Sequence, residues 1–219
     1  DMRGDVSSQW FARSPDEKYL SLGAMHAHKK QRADNSESMI IPSDGIQFDA
    51  PDPESVADMH ELTVTAKGFN YGAPIEPNNW SFGQACQLVN APGAFMRDLP
   101  SQLTADVLNY RFHNFRGEQI KTYIHGDGRA ELLALNGPDY GRVTDAEVIE
   151  AVMSVAGEGI GDRDWKIPGV MDWSTHIYDP NTPISLETTT LFASDRDVFI
   201  FLVDDRRPIE IGKLPDGSP

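Results

Sequence analysis

The residues of this chain whose types and spacing could do chemistry fall into four groups. The stretch His26-Ala27-His28-Lys29-Lys30-Gln31-Arg32 brings Lys29, Lys30 and Arg32 within four positions of one another. Such a cluster could contact phosphate oxygens, or it could be the solvated face of a helix. His26 and His28 lie two apart, so on a helix they point in different directions and do not share a metal. Residues 109–116 interleave Tyr110, Phe112 and Phe115 with Arg111 and Arg116, a mixture that stacks bases and pairs phosphates. A helix end packing under a sheet has the same composition. The turn Gly137-Pro138-Asp139-Tyr140-Gly141-Arg142 is the most distinctive string. In one reading Tyr140 packs and Arg142 ties the turn down through carbonyls or Asp139. In the other, Arg142 and the N–H groups of the next helix start hold an anion such as phosphate. Lastly, Asp195 and Asp197 could give two carboxylates to Mg2+, with Asp139 or Glu147 as further acids of a metal-dependent enzyme. Aspartates so placed also cap turns.

The elements that must position these groups are legible in outline. Leu132 to Leu135 is a short apolar run closed by Asn136-Gly137-Pro138, which suits a buried strand. Thr144-Asp145-Ala146-Glu147 spells a capping box, and Glu147 then occupies the positive pole of the helix, which disfavours a second anion there. Val148, Ala151, Val152 and Val155 follow at i, i+3, i+4 and i+7 as the expected apolar face, and Gly157 and Gly159 end the helix. Upstream, Ser14-Pro15-Asp16-Glu17 reads as a helix start, and Ser21 as a second cap for a helix to about Ala33. Ser81 and Ser101 are expected caps of two further helices. The first has Phe82, Ala85, Cys86 and Val89 on its apolar face, and the second Leu103, Val107 and Tyr110. Cys86 reads as a small buried hydrophobe. Gly126-Asp127-Gly128 joins two strands of a hairpin. The run Val198 to Val203 reads as a strand buried on both faces.

These elements predict an α+β fold: a single domain over 1–219 with an antiparallel or mixed sheet covered by helices. Strands are expected within 39–66, 120–135, 171–178 and 186–211, and helices near 15–33, 81–112 and 144–156. Residues 214–219 read as a loop, so the domain is expected to be incomplete at its C-terminal end. The chain also starts without an initiator Met.

Composition narrows the chemistry. The formal net charge is -15, so nucleic-acid binding requires a local basic patch, a metal or a basic segment elsewhere. One cysteine excludes an intrachain disulfide and any cysteine-rich zinc site. No run approaches the roughly 18 apolar residues of a membrane span. No Walker loop, dinucleotide fingerprint, His-Glu-x-x-His or nucleophile elbow is present. Cofactors are expected to be none, Mg2+ at Asp195 and Asp197 being the one candidate.

Three strings taken in order carry a resemblance. They are Trp80 to Gln84 with Ala91 to Pro100, Gly137 to Arg142, and Ala193 to Leu202. Together they resemble the phage- and plasmid-related family catalogued as domain of unknown function 932. The resemblance implies a mobile-element gene acting in the cytoplasm of a bacterial host. It implies a longer protein than this chain and lends no catalytic residues. A non-enzymatic DNA-transaction protein of single-strand binding or annealing type, with single-stranded DNA and further copies of itself as partners, is the expected function. A metal-dependent enzyme on nucleic acid, or an acidic protein-interaction or DNA-mimic module, is the alternative.

Overall fold

A computed structural model of the chain describes residues 12–55, 62–72, 74–115, 119–168, 170–172, 177–179, 183–194, 197–204 and 206–207. In chain order these form β1 (Lys18–Tyr19), α1 (Leu22–Asp34), β2 (Ser36–Pro42), β3 (Ile46–Asp49), β4 (Thr63–Ala66) and β5 (Ile75–Pro77). Three helices follow, α2 (Asn79–Leu88), α3 (Gly93–Arg97) and α4 (Ser101–His113), then the hairpin β6 (Gln119–Asp127) and β7 (Arg129–Asn136). The last elements are α5 (Asp145–Ala156), β8 (Val170–Asp172), β9 (Ile177–Asp179), β10 (Leu191–Ala193) and β11 (Val198–Ile200). The fold is α+β. Its contacts divide the chain into two compact units, residues 31–142 and residues 1–30 with 143–219.

The unit over 31–142 is a mixed six-stranded sheet in the order β2-β6-β7-β5-β4-β3, antiparallel throughout except where β5 runs parallel to β7. One face of the sheet carries Ile41, Phe48, Val64, Ile75, Ile120, Ile124 and Leu132, which pack with Phe82, Ala85, Leu108 and Phe112 of α2 and α4 into one core. Gly128 closes the hairpin at φ 78°, a conformation other residues rarely adopt. Cys86 is buried as expected, and burial pushes its thiol up to about pKa 11, which keeps it protonated and inert.

Two expected caps are replaced by neighbours. The α2 cap is Asn78, whose side chain accepts from Ser81 N–H at 2.8 Å, and Ser81 itself lies buried inside the helix. Ser101 opens α4 from within, its hydroxyl donating to the Ser55 carbonyl at 3.0 Å. The buried face of α4 is Thr104, Ala105, Leu108 and Phe112, not Leu103, Val107 and Tyr110; Tyr110 is 69% exposed. The helix is turned by Asn109, whose amide grips both the N–H and the C=O of Phe48 at 2.7 Å.

The other unit holds a three-stranded antiparallel sheet, β1-β10-β11, and the separate pair β8-β9. Its core gathers Tyr19, Leu22, Met25, Ile149, Ile167 and Leu191. Ser14-Pro15-Asp16-Glu17 opens only a 3-10 turn at Pro15–Glu17, because Lys18 and Tyr19 pair at once with Phe192 and Leu191. Ser21 caps α1, accepting from Ala24 N–H at 3.1 Å. The expected 171–178 strand is instead the two strands β8 and β9; Trp173 and Thr175 lie outside the described residues. The strand buried on all sides is β10, at the centre of its sheet. The more apolar β11 covers only Val198–Ile200 and is half-buried, because an edge strand has a neighbour on one side only. Ile209 and Ile211 also lie outside the described residues. Among the described residues no helix is long and apolar enough to cross a membrane.

Candidate nucleic-acid interface

The hairpin β6–β7 positions the site. Successive strand residues point to opposite faces. Ile120, Thr122 and Ile124 of β6 therefore enter the core, and Lys121, Tyr123 and His125 stand on the face away from α2 and α4. Register extends that outer row sideways: Ser36 pairs with His125, Ser38 with Tyr123 and Ile40 with Lys121. Ile40 is 53% exposed. The β6–β7 register shifts between Tyr123 and Ile124, a bulge that breaks the regular alternation of β7 beside Tyr123.

The turn after β7 closes over this row. Tyr140 N–H donates to the Gly137 carbonyl at 3.1 Å, and Lys121 Nζ donates to the Tyr140 carbonyl at 3.0 Å. The turn is thus tied down by a lysine 19 residues upstream. Arg142 lies over the Tyr123 ring, its Cζ 4.5 Å from the ring centroid, a cation–π stack. Tyr140 projects outward, 53% exposed, with Gly141 exposed beside it. A planar guanidinium on one tyrosine, a second tyrosine in solvent and an ammonium on the carbonyl of that second tyrosine form a small aromatic and cationic platform. Such a platform can stack bases and pair phosphates.

The helix start following the turn is already supplied with an anion. Glu147 accepts from Thr144 N–H at 2.7 Å and from its hydroxyl at 2.8 Å, while Glu147 N–H donates to Thr144 Oγ1 at 3.3 Å. The capping box forms as its sequence predicts. The Thr144 backbone N–H, and then its hydroxyl, hold the Glu147 carboxyl below the usual glutamate range.

On the same sheet face Arg32 donates to Glu131 at 2.9 Å. Ser36 Oγ donates to the Arg32 carbonyl at 2.7 Å and lies 3.1 Å from His125 Nδ1. With the Ser36 proton directed at a carbonyl, His125 is left to donate to Oγ. That is the wrong sense for a base activating a nucleophile, so the pair fastens the end of α1 to the sheet.

The remaining expected residues fall elsewhere. Arg111 Nε donates to the Val89 carbonyl at 2.9 Å, on the helical side of the sheet. Arg116 and Asp195 lie outside the described residues. Lys30 is exposed on α1 in the other unit. Lys29 is no part of a solvated face. It is 5% exposed, on the side of α1 that carries Leu22 and Met25, and its ammonium donates to the Ser194 carbonyl at 2.6 Å and faces Asp145 at 3.3 Å. A cation that deep needs such partners. Asp197 accepts both Arg13 Nη1 at 2.7 Å and Nη2 at 2.6 Å, and the Ser194 hydroxyl at 2.8 Å. The Arg13 bond holds the Asp197 carboxyl below the usual aspartate range. Among the described residues, no three His, Cys, Asp or Glu side chains are placed to hold one metal ion.

Sequence reasoning passed over Lys121, Tyr123, His125 and Ile40. The signal was there in the strict alternation of Ile120, Thr122 and Ile124 with Lys121, Tyr123 and His125, which puts three polar or aromatic groups on one face. Comparison with family models, with characterised protein sequences and with solved structures returns no match.

Proposed function

We propose that the unit over 31–142 binds single-stranded nucleic acid across the outer face of its sheet, in a non-enzymatic, DNA-transaction role. The observation that carries this reading is the Arg142–Tyr123 stack with exposed Tyr140 and Lys121 beside it. Single strands are favoured over duplex because unstacked bases can lie flat on aromatic rings and on a guanidinium plane, whereas paired bases hide their faces. On this face Arg32 pairs with Glu131, and Arg129 with Glu76, which stands beside Glu131 in register, so the cationic excess rests on Lys121 and Arg142 in a chain of net charge -15. The surrounding negative surface repels bulk phosphate and keeps affinity moderate and salt-sensitive. The resemblance to the phage- and plasmid-related family is the biological setting we propose for this activity. The test is a fluorescence-anisotropy titration of the whole chain with a labelled deoxythymidine oligonucleotide at low and physiological salt, with and without Mg2+. Binding that weakens with salt and is indifferent to Mg2+ supports the reading. Absence of binding at low salt overturns it.

A further inference from the structure

Strand β5 ends at Pro77, opposite Leu132, while β7 runs on to Asn136. Leu135, in that overhang, is buried, and its N–H needs an acceptor. Gln84 of α2 supplies one, its Oε1 accepting at 3.0 Å. A side-chain amide has one oxygen end and one nitrogen end, so fixing the oxygen makes the other end a donor. Gln84 Nε2 accordingly donates to Asn136 Oδ1 at 2.8 Å. By the same rule the nitrogen end of Asn136 is turned toward Arg142 and lies 3.3 Å from its Nη2. Arginine offers donors only.

A row of two amides between two donors, a backbone N–H at one end and a guanidinium at the other, must contain one meeting of donor with donor. At the Leu135 joint the meeting would leave a buried N–H unmet, which is costly. The Gln84–Asn136 joint, at 2.8 Å, has the length of a hydrogen bond and is too short for two donors. Turning Asn136 over would give Arg142 an acceptor and the Leu135 carbonyl a donor at 3.2 Å, but it would set two nitrogens 2.8 Å apart at Gln84. The mismatch therefore falls at the Asn136–Arg142 joint, which is the longest and the one beside the platform. Two donors side by side, one of them charged, can share an oxygen from outside the row. An anionic oxygen suits them best, since a charge-assisted hydrogen bond is roughly twice as strong as a neutral one. One face of the guanidinium lies on Tyr123 and the other is open to a base, so its edge is left for the backbone of the strand.

We propose that Asn136 Nδ2 and Arg142 Nη2 together hold a phosphate oxygen of the bound single strand, which makes Asn136 an uncharged contact residue of the platform. This deepens the proposed function and rests on it. The test uses two labelled oligonucleotides, one of deoxythymidine and one of deoxyadenosine. Each is titrated by anisotropy into the whole chain and into its Asn136→Ala and Asn136→Asp variants. Thymine carries carbonyl oxygens and adenine carries none, so the pair separates a phosphate oxygen from a base oxygen.

Asn136→Ala removes one neutral donor. Affinity for both oligonucleotides should fall by roughly three- to tenfold while the salt slope stays that of the parent chain, because no charge is lost. Asn136→Asp places an acceptor at both of its joints. It should melt no lower than the parent chain and bind both strands at least about tenfold more weakly, its carboxylate engaging Arg142 and repelling phosphate. A merely structural role would lower melting and binding together. Parent affinity in Asn136→Ala or in Asn136→Asp would overturn the proposal while leaving the proposed function standing. Melting of Asn136→Asp well below that of the parent chain would also overturn it, since no meeting of donors would then have been relieved. A loss in Asn136→Ala confined to the deoxythymidine strand would assign the oxygen to a base and overturn the phosphate. Failure of the parent chain to bind either strand would overturn the proposed function itself, and this inference with it.

Discussion

Replacing Arg142 separates the two contributions that the platform is argued to make. The guanidinium lies 4.5 Å from the Tyr123 centroid and offers a flat face to a base as well as a charge to a phosphate. If Arg142 and Lys121 each neutralise one phosphate of a single strand, and Arg32 exchanges Glu131 for a third, the slope of log affinity on log salt is about -2, at roughly 0.7 per contact. Between 50 and 200 mM salt that slope is a loss of about 20-fold. Arg142→Ala removes one contact and the stack. The slope should fall to about -1.4, and affinity at fixed salt should drop by roughly 1–3 kcal/mol, or about 5- to 150-fold. Arg142→Lys keeps the charge without the plane, so its slope should stay near -2 while its affinity still falls. Anisotropy titrations at four salt concentrations read both quantities. Equal slopes and affinities for the parent chain, Arg142→Ala and Arg142→Lys would refute the reasoning, because neither contribution would then pass through this residue.

Three other expectations concern stability. Thr144→Ala deletes the hydroxyl side of the α5 capping box, keeping only the backbone N–H bond to Glu147, and should cost about 1 kcal/mol in urea unfolding, with Thr144→Ser nearly neutral. Phe112→Ala opens a cavity where Phe112 stacks on Phe48 at 5.7 Å, both rings being buried, and should cost roughly 3–5 kcal/mol. Asp197 has its carboxyl pKa depressed by Arg13, so its contribution is complete above the unfolded value near about 4 and is lost as pH falls through the lower folded value. Asp197→Asn should therefore destabilise at pH 7 by about 1 kcal/mol, the upper end for a partly exposed pair, and by progressively less as pH falls below about 4; urea melts across that range measure both.

What the sequence disclosed depended on how far apart the interacting residues are. The capping box was legible because Thr144 and Glu147 are three positions apart and answer each other alone. The hairpin was legible because Gly126-Asp127-Gly128 is a local turn signal. The α+β class followed from counting such signals. The buried face of α4 was not legible, because Asn109 takes its orientation from the backbone of Phe48, 61 residues earlier. In α5 the pattern was misleading for a different reason. Two overlapping apolar stripes fit the same twelve residues, and only packing against Leu22, Met25 and Leu191 decides which one is core. The run 198–203 outscores 191–193 in hydrophobicity, yet sheet order, which no local pattern encodes, puts β10 in the middle.

The candidate site divides along the same line. Tyr140, Gly141 and Arg142 stood out as a turn, but the chemistry they offer needs Lys121 and Tyr123, which reach them only through the β6–β7 register. The basic cluster on α1 was visible as charge, and its separation into a buried Lys29 and a sheet-bound Arg32 was not.

The most direct test of the central claim is ultraviolet cross-linking of the whole chain to a single-stranded oligonucleotide carrying 5-bromodeoxyuridine, with the linked peptides identified by mass spectrometry. The account predicts cross-links at Tyr140 and Tyr123, suppressed by excess unlabelled single strand and much less by duplex. Cross-links confined to α2 and α4 or to the other unit, or none at low salt, would contradict it.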